Sequence, residues 1–187
     1  MASPSSPAPL SPQLAELRKQ FEARSERAQQ LVRGLSEQHL TQQPPDGGWS
    51  ILHCIEHLAL TNKLYKPIFE DAFTRAKHGS EPYRKDFKGR LLAWILEPPY
   101  RMKVKTRKDL DPLTFGDSKA VVKEFLATQQ MIFGWLDRAN SISLNDVFVA
   151  SPFNEKMRYN LFSVFHILAA HERRHLWQAE QVKKQLT

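Results

Sequence analysis

The segment NLFSVFHILAAHERRHLWQAEQVKKQLT, residues 160–187, holds a helical pattern and a chemical signal together. Leu161, Val164, Phe165, Leu168, Leu176 and Val182 recur at helical spacing, which predicts a long last helix with one buried stripe. His171 and His175 stand one turn apart and extend that stripe. Both imidazoles are therefore expected to face the core and to reach a common ion. Two core-facing histidines are costly to desolvate without partners, and a divalent cation partners both at once. The same string, His171-Glu172-Arg173-Arg174-His175, fits the H-E-x-x-H pattern of zinc proteases, whose glutamate serves as general base. The longer protease pattern asks for Gly at position 178 and His at 181, where Gln178 and Gln181 stand. Among the residues after His175 only Glu180 could add a ligand, so a protease is not expected.

Upstream, the periodicity predicts three more helices. Ser11-Pro12 gives a start signal, and Leu14, Leu17, Phe21, Ala28, Leu31 and Leu35 continue at three- and four-residue steps. Residues 42–48, with two prolines and two glycines, break that helix. Trp49-Ser50 opens the second, with Ile51, Ile55, Leu58, Tyr65, Phe69 and Phe73 broadly on one face. Pro67 is expected to kink it and Gly79 to stop it. A short helix is expected over residues 91–96, followed by an irregular basic stretch, 100–116. The third long helix is expected to begin at Asp117 or Ser118, with Val121, Val122, Phe125, Met131, Ile132, Trp135 and Leu136 in phase. Residues 141–159 look loop-like, and no run alternates with a period of two for long enough to demand a strand. The expected fold is all-α: an antiparallel four-helix bundle over residues 11–187, after a disordered Ser/Pro-rich tail, 1–10.

Composition narrows the function classes. The chain has 187 residues, 41% hydrophobic and 25% charged, which suits one buried core. It has no apolar run long enough for a membrane span and no secretory leader pattern. Cys54 stands alone and cannot pair internally, so a reducing compartment, the cytoplasm, is expected. Lysine and arginine number 27 against 20 acids, a formal charge of +7 spread along the chain. The densest cluster, Arg101, Lys103, Lys105, Arg107 and Lys108, matches no nucleic-acid motif, so nucleic acid is not an expected partner.

A third ligand for the histidine pair has candidates on the second helix: His53, Cys54, Glu56 and His57. Inward groups on facing helices build metal sites of this kind. Cys54 reads more simply as a small buried hydrophobe. Two segments then resemble the DinB-like superfamily of bacterial helical-bundle proteins, which includes thiol-dependent transferases. Trp49-Ser50-Ile51-Leu52-His53-Cys54-Ile55-Glu56-His57-Leu58 is similar to the family's W-S-x(6)-H-L opening, and His171-Glu172-Arg173-Arg174-His175-Leu176-Trp177-Gln178 to its closing H-x-x-x-H-x-x-Q.

The resemblance implies an up-down-down-up bundle, often a homodimer. It also implies that His57, His171 and His175 hold a divalent ion, zinc or nickel. Three neutral imidazoles leave coordination positions open, which favours a catalytic site. The expected function is metal-dependent transfer of a low-molecular-weight thiol to a small electrophilic substrate. A metal-dependent hydrolase and a non-catalytic, metal-stabilised bundle are the alternatives. Glu172 is the candidate catalytic base, or else a solvent-facing partner for nearby arginines. His53 either adds a fourth ligand or, like Glu56, orients a ligand imidazole from outside.

Overall fold

The computed structural model describes residues 9–45, 47–99, 110–112 and 117–186. The tail at residues 1–8 and the basic cluster at 101–108 lie outside that set. Helix α1, Pro12–Val32, opens with proline in its first turn, where a missing amide costs nothing. It ends before Leu35, because the chain turns at Gly34 with φ +77°, a backbone angle that glycine adopts freely. A one-turn helix, α2, Glu37–Thr41, follows.

Helix α3, Ile51–Leu64, is closed at its start by a reciprocal cap. Ser50 Oγ accepts from His53 N–H, and the His53 ring accepts from Ser50 N–H. Pro67 does not kink this helix. Helix α3 stops at Leu64, and α4, Lys66–Arg75, starts afresh with the proline in its first turn. Gly79 is not the stop either, since α4 already ends at Arg75. Helix α5, Phe87–Leu96, begins earlier than the apolar pattern alone suggests, because the Asp86 side chain accepts from Gly89 N–H and caps it. Helix α6, Ser118–Ala139, starts where expected, with Asp117 as its cap.

The all-α expectation needs correction between α6 and the last helix. Strands β1, Phe148–Ser151, and β2, Asn154–Asn160, form an antiparallel hairpin with Val149 opposite Tyr159. One strand alternates in burial but has only four residues, and the other is largely exposed, so neither stands out in the sequence. Their order comes from tertiary packing. Val149 and Tyr159 are buried, and the Tyr159 and Tyr65 hydroxyls lie 3.0 Å apart. Strand β2 runs directly into α7, Leu161–Leu186, where the Asn160 side chain accepts from Ser163 N–H.

Helices α1, α3 with α4, α6 and α7 pack as a bundle around two apolar clusters. One cluster takes Leu14 and Phe21 of α1, Phe69 of α4, Leu136 of α6 and Leu168 of α7. The other takes Leu31 of α1, Ile55 of α3, Phe125 of α6 and Leu176 of α7. No described helix is long and apolar enough to cross a membrane.

Helix α5 lies so close to α7 that a β-carbon at Gly89 would stand 2.2 Å from Ser163 Cβ. Gly89→Ala is therefore expected to push the two helices apart and cost about 1–3 kcal/mol, read as a lower melting temperature.

Candidate metal centre

Burial of the apolar faces of α3 and α7 against each other brings three histidines together. His57 and His175 are buried, and His171 is half-buried. One ring nitrogen from each lies within 4.8 Å of the others, and among the described residues this is the group able to hold a metal ion. His57 Nε2 and His171 Nε2 are 3.2 Å apart.

Hydrogen bonds decide which nitrogens are free. His57 Nδ1 lies 2.9 Å from the carbonyl oxygen of Leu110, which can only accept, so Nδ1 carries the proton and Nε2 presents its lone pair. His175 Nδ1 likewise donates to Gln178 Oε1 at 3.1 Å. His171 Nδ1 is buried with no partner. Burial, reinforced by the neighbouring histidines and Arg174, holds the His171 and His175 rings well below the ordinary imidazole pKa. Burial also lowers His57, against the opposing Leu110 bond and Asp111. All three rings are thus neutral at physiological pH, the form that ligates.

This arrangement fits a cation. Tetrahedral coordination at about 2.0–2.1 Å places ligand nitrogens roughly 3.3 Å apart, close to the spacing of the two Nε2 atoms. Trp49 covers one side, its ring centroid 4.7 Å from that of His57 and 5.5 Å from that of His175. Its indole N–H donates to Asp111 at 3.0 Å, which fixes the ring.

The other expected participants fall elsewhere. His53 spends Nδ1 on the α3 cap and is not among the grouped ligands. Glu56 does not orient a ligand imidazole; the outer partners are the Leu110 carbonyl and Gln178. Cys54 is fully buried, and burial pushes its thiol pKa up, in keeping with a packing role.

Glu172 is not solvent-facing. It is completely buried, and Oε1 accepts from Asn62 Nδ2 at 2.9 Å and Gln129 Nε2 at 2.7 Å. It does not join the histidine group. Gln178 had a sequence signal, as the last position of the closing motif. Leu110 had none, because a backbone carbonyl leaves no mark on residue type. Gln178→Ala is expected to weaken metal affinity about 10–100-fold while leaving the fold intact, measured by competition with a chromogenic chelator.

Comparison with known proteins bears on the fold and the family. No curated protein gives a significant match. A solved structure, that of YfiT from Bacillus subtilis, aligns with a TM-score of 0.61 at 14% identity, covering 98% of this chain and 94% of the other. That protein is described as "a probable metal-dependent hydrolase with an unusual four-helix bundle topology". The DinB superfamily profile matches residues 20–179, a span that includes all three histidines and both helices that carry them. The chain belongs to the DinB superfamily.

Proposed function

We propose that His57, His171 and His175 hold a divalent ion, zinc or nickel, and that the chain is a metal-dependent enzyme joining a small thiol to an electrophile. The observation that carries the metal site is the pair of Nε2 atoms 3.2 Å apart, one of them left as an acceptor because the Leu110 carbonyl takes the Nδ1 proton. Without an ion His171 Nε2–H can donate to that lone pair; a cation between the rings replaces this one hydrogen bond with two bonds to metal. The two apolar clusters also support an up-down-down-up bundle. The first half of α1 and of α7 and the second half of α6 share one end, while the start of α3 and of α6 lie at the other.

When bound, the ion would supply Lewis acidity that ionises either a small thiol or water near neutral pH. Leu110 and Gln178 orient two of the imidazoles. Trp49 shields His57 and His175, leaving the half-exposed His171 side for approach. Glu172, committed to Asn62 and Gln129, is not placed to serve as an additional base.

The test is consumption of small thiols by monochlorobimane: a carbon–sulfur bond forms, chloride leaves, and the thiol proton goes to solvent. Turnover should require metal and disappear in His57→Ala. Metal-dependent ester or amide cleavage without thiol would favour the hydrolase described for the structural neighbour. Metal bound without turnover of either kind would leave an ion that only pins the helices.

A further inference from the structure

On another face of the bundle, α1, α7 and the segment before α5 enclose an open groove of about 760 Å³. That volume lies within the range of small-molecule sites, about 300–1,000 Å³. Arg84, Lys85 and Arg90 line it, and none of them forms an ion pair among the described residues. Glu16 is the single carboxylate in its walls, so positive charge dominates.

Two further polar groups lie at the groove. Tyr83 is 3% exposed, and its hydroxyl is buried with no hydrogen-bond partner. Burial and the cations Lys85, Arg173 and Arg24 pull His166 down to about 4, so its ring stays neutral. That ring packs edge-on against Phe162, with centroids 4.8 Å apart. Pro12, Leu17 and Phe162 supply apolar wall.

Unpaired guanidinium and ammonium groups beside an apolar wall suit an amphiphilic anion. We propose that this groove is a second ligand site, distinct from the histidine triad, for a small organic anion. Arg84, Lys85 and Arg90 would hold its carboxylate or phosphate, and its apolar body would lie toward Leu17 and Phe162. The two sites are separated along α7. His166 precedes His171 by five residues, about 7.5 Å along the axis and about 140° around it.

Phenyl phosphate is a suitable probe, titrated calorimetrically into the full chain with and without bound metal. It should bind in both states and in His57→Ala. It should bind at least about tenfold more weakly when Arg84→Gln and Arg90→Gln are combined, as expected for losing charge-assisted contacts. Both arginines are exposed, so the melting temperature should not move; Lys85→Gln provides an independent variant. Benzyl alcohol, the neutral comparator, should not displace the probe. No binding, equal displacement by benzyl alcohol, unchanged affinity in the arginine and lysine variants, or loss in His57→Ala would each overturn the proposal.

Discussion

Purified without a histidine tag, the chain should carry a near-stoichiometric divalent ion, and His57→Ala or His171→Ala should each strip it. The expected loss of affinity exceeds the roughly 10–100-fold that follows from changing an outer partner. Each substitution removes a bond to the ion rather than the group that steadies one. Acid should have the same effect as substitution. The three rings are held below the ordinary imidazole value, so the folded chain binds fewer protons than the unfolded one as pH falls. Their contribution to the stability of the metal-free chain is therefore complete above the unfolded pKa of about 6.5 and is lost below it. Bound metal adds to that slope, since protons compete for the same nitrogens. Elemental analysis of the three proteins, with melting temperatures from about pH 5 to 8, checks all of this. Full metal retention in either variant would refute the site.

The bundle was readable because its helices bury one face each. Leu14 to Leu31, Val121 to Leu136 and Leu161 to Val182 keep the helical period, and the structure buries those positions except Val122 and Met131, which are half-buried. What stayed hidden was set by tertiary contact. The hairpin at 148–160 has too few alternating residues to announce itself, and Tyr159 orders it from across the chain through Tyr65. Pro67 was legible as a kink but not as a beginning. The distinction rests on whether the preceding residues resume helix, and Lys66 does.

At the site, spacing put His171 and His175 on one face, which made them a candidate pair but did not decide that they bind an ion. His57 was one of four candidates until the family resemblance singled it out, and the fold then placed it against the pair. Glu172 shows the opposite limit. Its place in H-E-x-x-H invites a catalytic role, yet one step along a helix turns a side chain by about 100°. That turn carries it to Asn62 and Gln129 instead.

Glu172→Ala is accordingly expected to be among the most destabilising single changes in the chain. The carboxylate is the acceptor for two buried amides and the main opposite charge felt by Arg24. Arg24 is itself only 6% exposed, and burial pulls its guanidinium down to about 10, with Glu172 opposing that fall. Removing the acid leaves both buried amides without their acceptor and takes from Arg24 the larger of the two opposing charges, Glu97 being the other. Buried polar groups left unpaired cost about 1–3 kcal/mol each, which with the lost charge comes to about 3–5 kcal/mol. For a chain of this size that lowers the melting temperature by roughly 6–20 °C. Glu172→Gln keeps an oxygen where Oε1 sits and should cost less, since only the charge opposite Arg24 is gone. A base in the reaction would show the reverse pattern, with Glu172→Gln abolishing turnover at an unchanged melting temperature. The structural role predicts that Glu172→Gln lowers the melting temperature while metal content stays at the level of the unsubstituted chain, because His57, His171 and His175 keep their positions.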